Sequence, residues 1–441
     1  MQPIPSSRFS SFWLALGWLL AAMIGCDESY TPPATCPEIN PPINCRTAQA
    51  PYDSTEYILS FPDTVSCEER ERDLRYVQAL GARIADQCGC GLYLMKTMPN
   101  VDPNEHIQKA YTELKHTGGN GRLVRNVQFQ IDPITPMDPG QFSYDSIRKY
   151  PPTSAQNVVV GIVDMGMYFD HPALRPYLWQ NPAPGSNCFV SDAYSYNSLL
   201  MNGFDVNDSL GHGTHIAGII ALPSNQGSAY TYDPKTKQAL RLMSVKMTKG
   251  STRQSSLFAA ICGVKYAIDR GADLLNLSWG YYAPEPDPLL ARVMQEAAEA
   301  GVLVITAAGN DAIDTDRCPH WPSSFAGMKG YEHVISVGAL NETEDTLACF
   351  SNFGRRSITI AAPGTDIGSL YLGNGCYDMT GTSMAAPFVT RYAAMQKLQR
   401  PGMDLMTWRN AVLSGLSAIV GPAGPSQKIP LSDQLNCGPT P

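Results

Sequence analysis

The sequence predicts an α/β protein in which a doubly wound, mostly parallel sheet is preceded by a small α+β unit. Three observations lead to this fold class. The chain has 441 residues and is 44% hydrophobic, which is enough to bury a large core. From residue 156 onward, short apolar runs alternate with stretches of helical length and periodicity. The runs are almost continuously hydrophobic, as expected of parallel strands that helices cover on both faces.

The larger unit is expected to span residues 156–441 as one doubly wound domain. Its predicted parallel strands are Val158–Val163, Leu240–Met247, Leu274–Leu277, Val302–Ala308, Val334–Leu340 and Ile358–Ala362. Its predicted helices are Ser255–Arg270, Pro288–Ala300, Ser383–Gln399 and Leu405–Leu416.

The smaller unit is expected at residues 55–132, and residues 133–155 are interpreted as a linker. Its predicted elements are strand Tyr57–Phe61, helix Glu68–Gln87, strand Leu92–Met98, helix Glu105–His116 and strand Leu123–Ile131. This order is typical of a small open sheet that packs on two helices.

The first 25 residues have the pattern of a secretory signal peptide. Their apolar stretch, Phe12–Gly25, is shorter than the roughly 20 residues that cross a bilayer. Residues 22–26 resemble a bacterial lipobox, in which Cys26 would become a lipidated first residue; ordinary cleavage near residue 21 or 22 is the alternative. Residues 26–54 are Pro-rich and suit a tether. We therefore expect an exported protein of the cell envelope, held to the membrane by a lipid anchor only, or otherwise secreted.

The twelve cysteines and the net charge restrict the compartment and the partners. So many cysteines indicate an oxidising compartment, and most are expected in structural disulfides. They contain no paired zinc-binding pattern, so we predict no metal site. Cys262 lies in an apolar helical pattern and is interpreted as a free thiol in the core. The net charge of -8 and the absence of a basic run argue against a nucleic-acid partner.

Three segments place reactive side chains where a parallel sheet concentrates its chemistry, at strand ends and at the helices that follow. Asp164 ends the first buried strand, where an aspartate alone would equally well cap a turn. His212 and His215 lie among small residues without the carboxylates of a zinc site, and His215 is expected to be a packed, hydrogen-bonded histidine. Ser383 opens a helix; it suits an N-cap, but also a nucleophile beside backbone N–H groups that stabilise an oxyanion.

Together the three segments resemble the subtilisin-like serine peptidases, or subtilases. The matching motifs are Val163-Asp164-x-Gly166, His212-Gly-Thr-His-x-Ala-Gly218 and Gly381-Thr-Ser383-Met-Ala-Ala-Pro387, in the chain order Asp, His, Ser. The resemblance implies a serine endopeptidase that acts through an acyl-enzyme intermediate. Ser383 would be the nucleophile, His212 the general base and Asp164 the acid that orients the imidazole. A fourth match, Thr306-Ala-Ala-Gly-Asn310, implies that the Asn310 amide stabilises the oxyanion.

The resemblance also implies a substrate cleft between two strands. Ser278, Trp279 and Gly280 match the strand that lines the primary specificity pocket. Gly250 and Ser251 match the opposite edge strand, so that a peptide would add between the two as a β-strand.

Three further positions bear on the cleft and on the catalytic acid. His320 stands where the family commonly has a small residue at the base of the pocket, which predicts a narrower pocket or a preference for polar substrate side chains. The Trp321–Pro322 bond matches a position that is often cis in the family. Met165 replaces the usual Ser or Thr after the acid, which removes a hydroxyl from the neighbourhood of Asp164.

The unit at residues 55–132 resembles the inhibitory propeptides of the family in its element order and its position. This implies that residues near 127–133 occupy the cleft until the chain cleaves itself. The expected partners are therefore a protein or peptide substrate and the chain's own propeptide, and we expect a monomer. Catalysis requires no cofactor. Family members often bind structural calcium, but no acidic loop assigns ligands here.

Two alternatives to a general endopeptidase stay open. One is a dedicated maturation peptidase for a single precursor, and the other is a catalytically silent, peptide-binding subtilase. The presence of Asp164, His212, Asn310 and Ser383 argues against the silent form. A nucleotide-binding protein is disfavoured because Asp164 follows the first strand where a phosphate needs a glycine-rich turn.

Overall fold

The computed structural model contains both expected units. It describes residues 52–62, 65–88, 91–116, 121–131, 157–182, 195–198, 203, 206–222, 239–250, 252–341, 346–415, 417–421 and 424–428. The expected signal peptide, Cys26 and the linker at residues 133–155 lie outside the described residues, as does nearly all of the tether.

The N-terminal unit is an antiparallel sheet with two helices on one face. Its elements are β1 (Tyr52–Ser60), α1 (Cys67–Ala79), β2 (Ala82–Cys88), β3 (Leu92–Thr97), α2 (Pro103–His116) and β4 (Arg122–Gln130). The spatial order β2-β3-β1-β4 and the β-α-β-β-α-β chain order define a split βαβ arrangement.

The prediction of one long helix over Glu68–Gln87 was wrong in its second half. The helix starts as expected, because Ser66 and Glu69 form a reciprocal capping box. It ends at Ala79, since Gly81 turns the chain with a φ of 103°, a conformation that favours glycine. The following residues form strand β2, so Cys88 lies on a strand and not on the helix face.

The larger unit is built on a parallel sheet of seven strands in the order β14-β13-β11-β9-β5-β7-β6. These strands are β5 (Val158–Asp164), β6 (Tyr196–Asn197), β7 (Leu240–Lys246), β9 (Leu274–Leu277), β11 (Leu303–Ala307), β13 (Val334–Leu340) and β14 (Ile360–Pro363). The remaining strands are β8 (Gln254–Ser256), β10 (Tyr281–Tyr282), β12 (His320–Trp321), β15 (Ile367–Leu370), β16 (Cys376–Met379), β17 (Ser417–Gly421) and β18 (Gly424–Lys428). All six predicted strands are present, with ends within two residues of the prediction.

Helices cover both faces of this sheet, which confirms the doubly wound fold. They are α3 (His212–Ala221), α4 (Leu257–Asp269), α5 (Pro288–Glu299), α6 (Thr382–Gln399) and α7 (Leu405–Ser414). Val160 and Ile162 of β5 pack with α3, α6 and α7 in one apolar cluster, whereas Val159 and Val163 pack with α4 and α5 in another. Alternate residues of a strand point to opposite faces, so each strand contributes to both cores.

The N-terminal unit packs against the α4 and α5 side of the larger unit. In β1, Tyr57 and Leu59 face the helices of their own unit, whereas Ile58 joins the apolar cluster that contains α4 and α5. Strand β4 extends its sheet by pairing antiparallel with β8 of the larger unit. In addition, the side chain of Asn126 accepts a hydrogen bond from the backbone N–H of Phe258 at the start of α4 (3.1 Å).

The interpretation of Cys262 as a free thiol was wrong. Cys262 of α4 forms a disulfide with Cys88 of β2, and both residues are fully buried. Cys262 lies in an apolar cluster that also contains Ile58 and Cys88 of the N-terminal unit. The periodicity of one segment cannot identify a disulfide partner 174 residues away in the sequence. Cys318, Cys349 and Cys376 are also disulfide-bonded, in line with the expected structural disulfides.

The described residues contain neither a membrane-spanning helix nor a cluster of metal-binding side chains. No helix among them is long and apolar enough to cross a membrane. No group of three or more His, Cys, Asp or Glu side chains in the same part of the chain is arranged to hold a metal ion.

The anchoring of α7 on α6 gives a test of the core. Trp408 is 0% exposed, and its indole N–H donates to the carbonyl oxygen of Ala393 in α6 (2.9 Å). We predict that Trp408→Ala lowers the free energy of unfolding by about 3–5 kcal/mol, because it leaves a cavity and an unpaired carbonyl. Met406→Ala on the same helix, where the side chain is 39% exposed, should change it by less than about 0.5 kcal/mol. Urea denaturation measures both, and equal effects would contradict the assigned burial.

Candidate active site

The carboxylate of Asp164 lies at the end of β5 and is completely buried. Its Oδ1 accepts hydrogen bonds from the N–H of Met165 (2.7 Å) and from Nδ1 of His212 (2.8 Å). Because a carboxylate only accepts, Nδ1 carries a proton and a neutral His212 presents a lone pair at Nε2. Oδ2 has no hydrogen-bond partner among the described residues, which agrees with the absence of a hydroxyl at Met165.

His212 is the first residue of α3 and is held there by a tightly built turn. Gly211 before it adopts a φ of 87°, and a Cβ on Gly213 after it would collide with the carbonyl oxygen of Gly166. The start of the helix therefore lies directly against the loop that follows Asp164. Glycine at residue 213 is what allows the acid and the imidazole to come together.

His215 has the structural role that its sequence context predicts. It is fully buried, and its Nε2 lies 2.8 Å from the carbonyl oxygen of Ile367 and 2.9 Å from that of Tyr377. Burial lowers the pKa of His215 to about 3, so the ring is neutral and its Nε2–H donates to these carbonyls. This histidine links α3 to the β15–β16 hairpin and takes no part in the site.

Ser383 lies in the first turn of α6 and is 3% exposed. Its hydroxyl donates to the carbonyl oxygen of Ser278 (3.3 Å), and the hydroxyl of Ser278 donates back to the carbonyl oxygen of Ser383 (3.0 Å). Thr390, further along α6, donates to the side chain of Asn276 in β9 (2.8 Å). These bonds fix the N-terminus of α6 against the end of β9. Helix α6 also packs on α3, so His212 and Ser383 lie in the first turns of two neighbouring helices.

Asn310 follows β11, and its amide is oriented by the residue that precedes Ser383. Its Oδ1 accepts from both the N–H (2.8 Å) and the hydroxyl (2.9 Å) of Thr382. With the oxygen end used in this way, the Nδ2 end is the part of the amide that donates. Asn310 and Ser383 line the same cavity, so a donor amide and a serine at a helix N-terminus face one space.

That cavity has a volume of about 240 Å³ and contains most of the predicted substrate residues. Its lining consists of Gln130, Ile131, Ser278, Trp279, Gly280, Tyr282, Ala307, Gly309, Asn310, Asp311, His320, Thr382 and Ser383. His320 and Trp321 form β12, which pairs with β10, and the Trp321–Pro322 bond is cis as the sequence predicts. The structure therefore brings Ser278, Trp279, Gly280 and His320 together beside Ser383.

Only one of the two residues predicted for the second edge of the cleft is described. Gly250 is in a turn and Ser251 is outside the described residues, whereas the strand that pairs with β4 is β8, Gln254–Ser256. Just before β8, the carbonyl oxygen of Arg253 accepts from the N–H of Ile131 (3.0 Å). The resemblance implied an edge strand at Gly250 and Ser251, and strand β8 begins shortly after them, at Gln254.

The N-terminal segment lies along this edge with its side chains in the cleft. Phe129 stacks on Trp279, with ring centroids 5.4 Å apart, and on Tyr281, at 6.0 Å. Ile131 is 2% exposed and lines the cavity beside Ser383. The described end of the N-terminal unit therefore lies along β8 and against the cavity that Ser383 lines, up to Ile131.

Asp208 is a residue of the site that the sequence analysis missed. It is fully buried, and its carboxylate accepts from the N–H groups of Leu210 (2.9 Å), Gly211 (2.8 Å) and Thr214 (2.9 Å), and from the hydroxyl of Thr214 (2.7 Å). It thus fixes the turn and the first helical residues on either side of His212. Burial raises the pKa of Asp208, which these four hydrogen bonds oppose. The sequence signal that could have identified Asp208 is an aspartate shortly before the N-terminus of helix α3, which begins His212-Gly213-Thr214.

We predict that Asp208→Asn lowers the free energy of unfolding by about 2 kcal/mol or more. The amide NH₂ would face the N–H of Thr214 or those of Leu210 and Gly211, and charge-assisted hydrogen bonds would be lost. Asp170→Asn is the matched control, because that carboxylate pairs with Arg175 at a partly exposed site, where the cost stays below about 1 kcal/mol. Urea denaturation compares the two. An effect of Asp208→Asn no larger than the control would show that Asp208 does not hold this turn.

Comparisons with known proteins identify the family of the chain. The model of the subtilase family matches residues 155–420, more than half of the chain. A thermophilic serine proteinase from Bacillus sp. (strain AK1) is 28% identical over 86% of this chain and 86% of its own. Subtilisin DY from Bacillus licheniformis is 30% identical over 58% of this chain and 83% of its own. The crystal structure of a cold adapted subtilisin-like serine proteinase matches 60% of this chain and 85% of its own at 24% identity, with a TM-score of 0.46. The chain belongs to the subtilase family and is a serine-type peptidase.

Proposed function

We propose that the protein is an endopeptidase that hydrolyses peptide bonds through Asp164, His212 and Ser383, with Asn310 as oxyanion donor. The observation that carries this assignment is the 2.8 Å hydrogen bond between Asp164 and Nδ1 of His212. It fixes the tautomer in which Nε2 accepts a proton, on a helix that packs against the one Ser383 begins.

In the proposed mechanism, Ser383 Oγ attacks the carbonyl carbon of the substrate while its proton moves to His212 Nε2. Asp164 stabilises the imidazolium through Nδ1–H. The oxyanion accepts hydrogen bonds from Asn310 Nδ2 and from the backbone N–H of Ser383. Collapse of the tetrahedral intermediate transfers the proton to the leaving amine and leaves an acyl-enzyme. Water then attacks the ester by the same route, releases the acid and restores the serine.

We further propose that the N-terminal unit is an inhibitory propeptide. Strand β4 pairs with β8, and Gln130 and Ile131 line the cavity beside Ser383, where a bound peptide would lie. A substrate would add to the same edge as a strand, so the segment and a substrate compete for the same backbone groups.

Export of the protein is part of the same proposal. Residues 1–25 would act as the signal peptide, and Cys26 as the site of a lipid anchor at the cell envelope, with secretion as the alternative. The oxidising compartment that export provides suits the disulfides of the chain.

Covalent labelling tests the proposed nucleophile. A fluorophosphonate should label the wild-type protein, and Ser383→Ala should abolish labelling and peptide cleavage, whereas Ser414→Ala at the exposed end of α7 should change neither. Labelling is measured on the full chain, and on the diluted Cys88→Ser/Cys262→Ser chain after its linker has been cut at an inserted site for an unrelated protease, because the disulfide would otherwise hold the N-terminal unit in place. Cleavage of a set of peptides distinguishes a general from a dedicated peptidase. No labelling of either folded form would contradict the proposal and favour a silent, peptide-binding protein.

The oxyanion donor is tested separately on the same cut and diluted Cys88→Ser/Cys262→Ser chain. Asn310→Ala should lower kcat by about 100- to 1,000-fold with little change in KM, because the lost hydrogen bond forms only as negative charge develops. This magnitude is the one known for the corresponding donor in subtilisin, a member of the same family. Asn410→Ala, an exposed asparagine on α7, is the control. A loss below about tenfold would mean that Asn310 does not face the oxyanion.

A further inference from the structure

His320 closes one end of the cavity beside Ser383. The side chain is 5% exposed, and its ring lies between two glycines of the cavity wall. A Cβ on Gly280 would collide with the ring, and a Cβ on Gly309 would come within 3.2 Å of Nε2. The described residues form hydrogen bonds to the backbone N–H and to Nδ1 of His320, but none to Nε2. The unused nitrogen is therefore the one that faces the glycine-walled end of the cavity.

The hydrogen bonds of Ser323 determine which nitrogen of His320 carries the proton. The hydroxyl of Ser323 donates its single proton to the carbonyl oxygen of His320 (2.8 Å). Its oxygen, 2.8 Å from Nδ1, must then accept from Nδ1–H. Burial lowers the pKa of His320 to about 4, so the ring is neutral near pH 7. Nε2 is consequently a hydrogen-bond acceptor.

A carboxylate adds negative charge to the same cavity. Asp311 lines it, and Oδ2 of Asp311 accepts from the hydroxyl of Tyr282 (2.6 Å). That hydroxyl in turn accepts from the side-chain amide of Asn352 (2.7 Å), which fixes the orientation of the pair. The described lining contains no Lys or Arg side chain. The cavity thus offers acceptors and negative charge to a ligand, and no cation.

From this lining we propose that the cavity selects substrates in which the residue before the cleaved bond carries a side-chain N–H donor, namely Lys, Arg, Gln or Asn. The inference rests on the proposed function, because the cavity adjoins the serine that would attack that residue's carbonyl. Asp and Glu are excluded, since their carboxylates would meet the lone pair of His320 Nε2 and the charge of Asp311 without a compensating donor. An apolar side chain would leave a buried acceptor unpaired.

Peptides that differ at this one residue provide the test, with Lys, Gln, norleucine and Glu compared on the cut and diluted Cys88→Ser/Cys262→Ser chain. We expect kcat/KM to be higher for Lys and Gln than for norleucine, and lowest for Glu. In His320→Leu, which removes the acceptor at similar size, the preference for Gln over norleucine should fall about five- to tenfold. Asp311→Asn should weaken the preference for Lys over Gln, whereas Asp314→Asn, outside the cavity lining, should not.

Two results would overturn this assignment. One is a higher kcat/KM for the Glu or norleucine peptide than for the Lys and Gln peptides when His320 and Asp311 are both intact. The other is an unchanged ratio of Gln to norleucine in His320→Leu, provided that circular dichroism shows it to be folded. Failure of the proposed function itself looks different, because then no peptide is cleaved and no fluorophosphonate label is incorporated.

An independent observation concerns the covalent connection between the two units. The disulfide between Cys88 and Cys262 joins the last residue of β2 to the middle of α4, with Cα atoms 5.7 Å apart. Any cut of the backbone between these residues leaves two pieces that remain one molecule. The linker at residues 133–155, where self-cleavage would separate propeptide from peptidase, lies inside this loop.

We infer that this disulfide keeps the N-terminal unit attached after the linker is cut, and that it makes inhibition intramolecular. A tethered inhibitor has an effective concentration in the millimolar range, so dilution does not remove it from the cleft. Release then requires degradation of the unit, or reduction of the disulfide by a dithiol, which adds two electrons and two protons and yields two thiols. Regulation of the proposed active site would thus depend on more than the cleavage of one peptide bond.

The disulfide tether is tested by comparing the wild-type chain with the Cys88→Ser/Cys262→Ser variant after the linker of both has been cut. On a gel without reductant the wild type should run as one species and the variant as two, whereas reductant should separate both. Dilution from micromolar to nanomolar concentration should raise the specific activity of the variant but leave that of the wild type low. Two separate wild-type pieces without reductant would overturn the inference, and so would an equal response to dilution. The gel reports the tether whether or not the peptidase is active.

Discussion

The hydrogen bond between Asp164 and His212 is the interaction on which the rest of the site depends. A fully buried carboxylate is costly unless donors surround it, and this one has the N–H of Met165 and the imidazole of His212. Bringing the ring there requires glycine at residue 213, against the backbone of Gly166, and the carboxylate of Asp208 beneath the turn. A second buried carboxylate therefore stabilises the geometry of the first. Asp208 accepts from backbone N–H groups at the start of α3, whereas Asp164 accepts from the N–H of Met165 and from the His212 ring.

The parallel sheet explains why residues far apart in the chain meet at one edge. Strands β5, β9 and β11 are neighbours in the sheet, and their carboxyl ends lead to Asp164, Ser278 and Asn310. Helices α3 and α6 return to the same edge with their N-termini, which hold His212 and Ser383. Parallel pairing forces all strand ends of one kind to the same side, so the site follows from topology once these residues stand at the ends of their elements.

The sequence alone predicts those elements of the fold whose signature is local. Six strands and four helices of the larger unit have local signatures, namely continuous apolar runs and helical periodicity, and their ends were predicted to within two residues. Strand β6 and helix α3 were not among the predicted elements. The properties that were missed are long-range. The disulfide partner of Cys262, the pairing of β8 with β4 and the role of Asp208 each depend on which segments meet in space. The helix at Glu68–Gln87 was predicted too long because the turn at Gly81 interrupts a pattern that otherwise continues.

The cleft combines two kinds of recognition that differ in physical origin. Its edge strand offers backbone groups, which pair with any extended chain, and the N-terminal unit already uses them through β4. Backbone pairing cannot distinguish the chain's own segment from a substrate, so any discrimination must come from side-chain pockets. Two groups of side chains beside the edge strand have different chemistry: the rings of Trp279 and Tyr281 stack on Phe129, whereas His320 and Asp311 offer hydrogen-bond acceptors. The segment covers the first group with Phe129, so its contact with the larger unit is apolar there. In the proposed function, the acceptors beside Ser383 are the part of the surface that selects a substrate by hydrogen bonding.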